Sequence, residues 1–290
     1  MTNKIITLLT DFGTSDPYVS IMKGVILSIS PDVSIVDLSH EIPKFNIIKG
    51  ALFLNNAGQY FPKNTIHVVV IDPGVGTKRL PILIKTRNYY LIGPDNGVLS
   101  LLAYNDRIEK IIKLENPKYF LKQISMTFHG RDIFAPISAH CANNVDIEEF
   151  GPEIQEIELL HESMYAEPLI NSDDTITFYI LDIDGFGNII TNIPQTFLLT
   201  HLKNMMSKGK INSINNIIFK ISKGKSFESA QTLSNINFPF KNTYNEVKIG
   251  EFLALIGSHG NLEFSRNQDS AVQKLKLEVG TELTLKVIQK

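Results

Sequence analysis

Cysteine is nearly absent from this chain of 290 residues: Cys141 stands alone. One cysteine excludes an internal disulfide and any metal site built from several thiolates. It lies in an apolar helical stretch and reads as packing. Long apolar runs are missing too, and none approaches the roughly 20 residues of a membrane-spanning helix. Met1 to Lys4 leads directly into the strand-like run Ile5 to Leu9. It lacks the longer apolar stretch and small-residue cleavage site of a signal peptide, so a cytoplasmic location is expected. Charge of one sign is scarce: 28 basic against 30 acidic residues leave a net charge of −2. That balance gives no electrostatic case for nucleic acid. Only Lys203 to Lys225 is locally basic, with six lysines and no acid. It reads as a solvated face. The chain has no G-x-G-x-x-G fingerprint, no Walker lysine loop, no G-x-S-x-G elbow and no histidine pair at metal-ligand spacing. Dinucleotide-binding Rossmann chemistry, α/β-hydrolase chemistry and a resident metal are therefore not expected.

What is present is a change of pattern partway along. Hydrophobic residues make up 43% of the chain, enough for a sizeable core. In the first half, strand-like runs (5–9, 33–37, 67–71, 82–86, 89–92) alternate with helical ones (from Asp16-Pro17 to about Ile29, 46–60, and from an Asp132 cap to about Asn143). Such alternation predicts a mostly parallel sheet covered by helices. After the polar break Asn171-Ser172-Asp173-Asp174, short strands separated by turn residues predict a smaller antiparallel β-barrel-like domain. The expected class is α/β, with domains at 1–165 and 172–290.

Five clusters carry candidate chemistry, each with an ordinary structural alternative. Asp11 and Asp16 follow the first strand; two carboxylates there can accept from a ribose diol, or serve a turn and a helix cap. Asp72 opens a Pro/Gly-rich loop that ends at Arg79. In an open α/β sheet such loops hold ligands, although the two residues could equally form an ion pair that pins the loop. His129, just before a helix, is a candidate proton carrier or a satisfied loop histidine. Asp184 to Asn188 carries a hairpin signal, and its Asn side chain also matches the donor–acceptor edge of adenine. Ser258, His259 and Glu263 near the end share that ambiguity.

Together these segments resemble one family. The motifs are L-T-D-F-G-T-S-D-P-Y-V from Leu9, V-V-I-D-P-G-V-G-T-K-R from Val69, G-P-D-N-G from Gly93, T-F-H-G-R-D-I-F-A-P from Thr127 and I-D-G-F-G-N-I-I-T-N from Ile183. Five motifs in one order, across both expected domains, resemble the S-adenosyl-L-methionine (SAM) hydroxide adenosyltransferases, the adenosine-forming SAM hydrolases related to fluorinase and chlorinase. The resemblance implies hydrolysis of SAM to adenosine and L-methionine, with SAM as substrate and no cofactor. It implies a catalytic set at Asp72, Arg79 and His129. It assigns Asp11 to the ribose, Phe45 to an aromatic wall and Asn188 to adenine. Asp184, Ser258 and His259 fall around the methionine moiety, and Asp16, Glu263 and Arg266 are further candidates. It also implies a homotrimer, with each site lying between the N-terminal domain of one subunit and the C-terminal domain of its neighbour. A halide-using enzyme and a silent SAM or adenosine sensor are the competing readings. Halide-using relatives carry an aromatic where this chain has Asp72, and fluorinases carry a Ser where it has Gly130. At about 4 Å, two like charges cost roughly 4 kcal/mol at an effective dielectric of 20, so a carboxylate at Asp72 favours water over halide.

Overall fold

The computed structural model describes residues 4–160, 167–223, 233 and 235–289, the Asn215 side chain apart. The chain divides into two compact units, residues 1–161 and 162–290. In the first unit, β1 (Ile5–Thr10), α1 (Tyr18–Ile29), β2 (Ser34–Ser39), α2 (Ile47–Gly58) and β3 (Ile66–Val70) alternate. They are followed by β4 (Pro81–Thr86), β5 (Tyr90–Pro94), α3 (Ser100–Asn105), β6 (Ile108–Lys113) and α4 (Ala135–Ala142). The sheet order is β2-β1-β3-β5-β4-β6. β2, β1, β3 and β5 run parallel, and β4 is antiparallel to both its neighbours.

The centre of this sheet explains its composition. All five residues of β3 are buried, and a strand covered on both faces has no reason to alternate with polar residues. Ile66, Val68 and Val70 join Val19, Met22 and Ile26 of α1 and the small residues of α4 in one core. Val69 and Ile71 join Leu54 of α2 and Leu102 and Ala103 of α3 in the other. Cys141 is buried in α4, and burial pushes its thiol up to about 12, which fits packing rather than reactivity.

His67 is the one polar side chain of β3. It is fully buried, with Nδ1 2.7 Å from Thr7 Oγ1 and no partner for Nε2 among the described residues. Burial pushes its pKa from 6.5 down to about 4. Between these values the unfolded chain holds a proton that the folded chain does not. The stability that His67 contributes by staying neutral is therefore complete above pH 6.5 and is lost as pH drops toward 4, about 3 kcal/mol at 1.36 kcal/mol per unit. His67→Phe should flatten that slope in urea unfolding between pH 7 and 4.5; an unchanged slope would assign it to other groups.

The second unit contains β7 (Leu169–Ile170), β8 (Ile176–Ile183), β9 (Ile189–Pro194), α5 (Gln195–Ser207), β10 (Ile217–Lys223) and β11 (Phe238–Pro239). β12 (Phe252–Ile256), β13 (Asn261–Arg266), α6 (Ala271–Leu275) and β14 (Glu282–Gln289) complete it. Antiparallel pairing runs β11-β10-β14-β8-β9-β13-β12, and β7 adds to β8. The ends of that path meet at a Phe240–Ala254 bridge, where Lys241 N donates to Ala254 O at 2.9 Å. The result is a nearly closed barrel filled by Phe178, Phe219, Phe238 and Phe264. Both parts of the expected fold class are therefore present.

Several local expectations change. α1 begins at Tyr18 with Pro17 at the cap and no side-chain cap bond, so Asp16 does not cap it. Asp132 is not a cap either; it lies inside a π-helical turn, Gly130–Phe134, that precedes α4. β6, α5 and α6 were not anticipated. In the basic stretch, Lys203, Lys208 and Lys210 are exposed, and the last two pair with Asp174. Lys225 lies outside the described residues. Among the described residues, no helix is long and apolar enough to cross a membrane.

Candidate active site

The sheet of the first unit reverses direction at β1. The chain goes from β1 to β2 on one side and returns to β3 on the other. In open α/β sheets, ligands lie in the crevice outside the carboxyl ends of strands at such a point. Thr10 pairs with Val70, so Asp11 and Asp72 emerge from the carboxyl ends of adjacent strands. Asp11 is 5% exposed. Its Oδ2 accepts from Phe45 N at 2.8 Å, and its main-chain carbonyl accepts from Lys44 Nζ at 2.5 Å. Phe45 adopts φ +64°, a left-handed conformation uncommon outside glycine, and leaves its ring 67% exposed. Buried His40 clamps the same loop: its carbonyl accepts from Gly13 N at 2.7 Å and its Nδ1 lies 2.9 Å from Thr10 Oγ1. No sequence signal had singled out His40.

The loop after β3 folds back on itself. Val75 N donates to Asp72 O and Thr77 N to Gly74 O, and Gly76 takes φ +75°. This returns Arg79 to Asp72. Arg79 Nε donates to Asp72 Oδ1 at 2.9 Å, and Nη2 donates to Oδ2. The pair is bidentate and almost fully buried, with 9% and 5% side-chain exposure. Nη2 also donates to His129 Nδ1 at 2.8 Å, and the guanidinium lies 5.5 Å from the centre of the Phe134 ring. Arginine has no acceptor, so His129 Nδ1 must carry the lone pair and Nε2 the proton. The ring is accordingly neutral. Burial, and next the Arg79 charge, lower its pKa below the usual histidine value, with Asp72 and Asp132 opposing. Arg79 Nη1 is buried and finds no partner among the described residues. The corner thus offers a carboxylate, an unused guanidinium N–H and an imidazole N–H.

In the second unit, Asp184 organises the turn between β8 and β9. Its Oδ1 accepts from Phe186 N and Asn188 N at 2.9 Å each, and its Oδ2 accepts from Asn188 Nδ2 at 2.8 Å. The turn reading of this motif is therefore realised. Asn188 still keeps its Oδ1 and a second amide hydrogen beyond these bonds. A second cluster centres on Glu263, which is 3% exposed. Tyr244 and Ser265 hydroxyls donate to its Oε1 at 2.8 and 2.6 Å. Asn261 N donates to His259 Nδ1, so His259 Nε2 carries the proton that faces Glu263 Oε2 at 3.2 Å. Burial alone would raise the Glu263 pKa; the bonds from His259, Ser265 and Tyr244 outweigh it and hold the pKa below the usual value. A Cβ on Gly257 would collide with the His259 ring. Tyr244 was missed, although Thr243-Tyr244-Asn245-Glu246 carries a capping-box pattern that forms here. Arg266 is engaged elsewhere, donating from Nε to Gly250 O and from Nη1 to Asp269, and stacking on Phe252. Asp16 and Ser258 are exposed.

A parallel-sheet unit with a buried carboxylate–guanidinium–imidazole corner at its switch point, followed by a barrel-like unit, defines a class that comparison with known proteins makes specific. Residues 6–151 match the SAM hydroxide adenosyltransferase N-terminal domain, and residues 178–284 match the C-terminal domain. An (R)-S-adenosyl-L-methionine hydrolase of Methanocaldococcus jannaschii is 37% identical over 97% of this chain and 95% of its own. A fluorinase of Nocardia brasiliensis is 25% identical over 98% and 97%. The solved structure of an uncharacterized conserved protein from Thermotoga maritima superposes with a TM-score of 0.83 at 33% identity, covering 97% of this chain and 99% of that one. The chain belongs to the SAM hydroxide adenosyltransferase family.

Proposed function

We propose that this chain hydrolyses (R)-SAM to adenosine and L-methionine, with Asp72, Arg79 and His129 handling the water. The observation that carries this reading is the unpartnered, buried Nη1 of Arg79 beside a carboxylate and an imidazole N–H. A water beside the pair donates to Asp72, the Arg79 charge lies next to it, and His129 Nδ1 holds the guanidinium in place. Bulk water has a pKa of about 15.7, and the Arg79 cation beside it favours hydroxide character electrostatically. His129 Nε2 already holds a proton, so Asp72 takes the one released. The oxygen attacks the ribose 5′ carbon in line. The C5′–O bond forms, the C5′–S bond breaks with its electron pair going to sulfur, and Asp72 passes its proton to solvent. The sulfonium leaves as neutral methionine, so departure requires neither acid nor metal. Hydroxide and sulfonium lose their charges together, which a water-poor pocket favours.

Asp11 holds the ribose hydroxyls with the carboxylate oxygen that Phe45 N leaves free, and the Phe45 ring lines the nucleoside. Asn188 reads adenine. Asp184, Ser258 and His259 surround methionine; since both His259 ring nitrogens are already engaged, its share falls to shape and backbone. Glu263 supports His259, while Asp16 and Arg266 stay as outer candidates of the same pocket. SAM is substrate, and no cofactor is invoked. The working unit is a cytoplasmic homotrimer with sites between subunits; the exposed rings of Phe45 and Phe186 fit such a shared surface. Incubation with SAM in chloride buffer, followed by chromatography, tests the reading: adenosine and methionine in equal amounts support it. A halogenated nucleoside or unchanged SAM would overturn it. Asn188→Ala should weaken adenosine binding about tenfold, the worth of one or two lost hydrogen bonds. Unchanged affinity in calorimetry would remove Asn188 from the adenine site.

A further inference from the structure

Asp132 is a fully buried carboxylate that the proposed chemistry leaves unused. It lies three residues after His129, inside the π-helical turn, and its backbone N donates to Phe128 O at 3.1 Å. Its Oδ2 accepts from Ser125 N at 2.7 Å. Arg131 Nε donates to its Oδ1 at 2.6 Å while stacking 5.3 Å from the Phe128 ring centre. One carboxylate therefore ties the Ser125 end of the preceding segment to the turn that carries His129. That segment has a second contact. A Cβ on Gly76 would run into the carbonyl oxygen of Met126, so the Asp72–Arg79 loop rests directly on the backbone that Asp132 anchors.

We propose that Asp132 is a positioning residue for the water-handling corner: by fixing Ser125–Met126 against Gly76 and fixing the His129 turn, it registers Arg79 with His129 Nδ1. This rests on the SAM hydrolase reading above. Alignment matters because a displacement of about 1 Å at reacting groups can cost on the order of a hundredfold in rate. Arg131 Nη2 also donates to Oδ2 at 3.1 Å. Asn at 132 therefore keeps the volume but sets an amide donor against Arg131 Nε at the Oδ1 position, or against both Ser125 N–H and Arg131 Nη2 at the Oδ2 position; at least one anchoring bond is lost.

The test compares wild type, Asp132→Asn, Gly76→Ala and the double variant in steady-state SAM cleavage, with adenosine affinity by calorimetry and folding by circular dichroism. Wild type must release adenosine; if it does not, the functional reading fails rather than this one. Each single variant should lose about tenfold or more in kcat, with KM and adenosine affinity within twofold. The double variant should be hardly worse than the poorer single, because both substitutions open the same contact. A kcat for Asp132→Asn within twofold of wild type, or losses that multiply in the double variant, would overturn the proposal. If Asp132→Asn does not fold, Asp132→Ser takes its place: reduced kcat at unchanged KM supports the proposal, and kcat within twofold of wild type refutes it.

Discussion

Asp72→Asn should lower turnover of SAM about a thousandfold, within the range that a positioned general base supplies. The substitution is nearly isosteric. The Asn carbonyl can still accept one hydrogen bond from Arg79, so the loop from Asp72 to Arg79 keeps its path. What disappears is the proton acceptor and the negative charge. Asp11 is untouched, so adenosine affinity should remain within twofold in calorimetry. The combination of lost turnover and retained nucleoside binding is the signature of a group that acts on the water and not on the substrate's grip. Wild-type turnover in this variant would remove Asp72 from the chemistry.

Arg79→Leu should damage both stability and activity. The variant leaves the Asp72 carboxylate, 5% exposed in the intact protein, without either of its guanidinium bonds. Breaking a buried ion pair from one side typically costs about 3–5 kcal/mol, because the remaining charge stays desolvated. Urea unfolding near neutral pH should show a loss of that size. The double variant Asp72→Asn/Arg79→Leu should regain most of it while remaining inactive, since a neutral amide beside leucine carries no stranded charge. A loss below about 1 kcal/mol in the single variant would mean that bulk water already solvates Asp72 and that the pair with Arg79 is not desolvated.

The legible parts of the sequence were those in which one physical requirement dominated. β3 stood out because a strand buried on both faces has little reason to carry polar residues, His67 being the exception; α2 was legible as a helix over 46–60, and the structure adds its cap, Asn46 Oδ1 accepting from Lys49 N at 2.9 Å. The Asp72–Arg79 alternative between ion pair and site dissolves in the structure: the two residues form the ion pair, and the pair still leaves one buried N–H unused. The Asp184–Asn188 motif behaves the same way, serving a turn while Asn188 Oδ1 and one amide hydrogen lie outside the turn's bonds. Other parts were hidden for identifiable reasons. α5 has no acidic first turn and no side-chain cap, and its buried face, Leu198, His201, Leu202 and Met205, includes a histidine. β6 reads Ile-Glu-Lys-Ile-Ile-Lys and is held by its pairing with β4 rather than by its own pattern. The Tyr244–Glu263 contact spans 19 residues, and no local pattern announces it. Asp132 looked like a helix cap because Asp before an apolar helical run usually is one; its tie to Ser125 appears only once the chain is folded.

The most direct measurement is a single-turnover reaction with SAM in water enriched in oxygen-18, followed by mass spectrometry of both products. Attack at the ribose 5′ carbon by the water at Asp72, Arg79 and His129 places one heavy oxygen in the 5′-hydroxyl of adenosine and none in methionine. Adenosine without the label, label in the amino-acid product, or cleavage that yields no adenosine would contradict it.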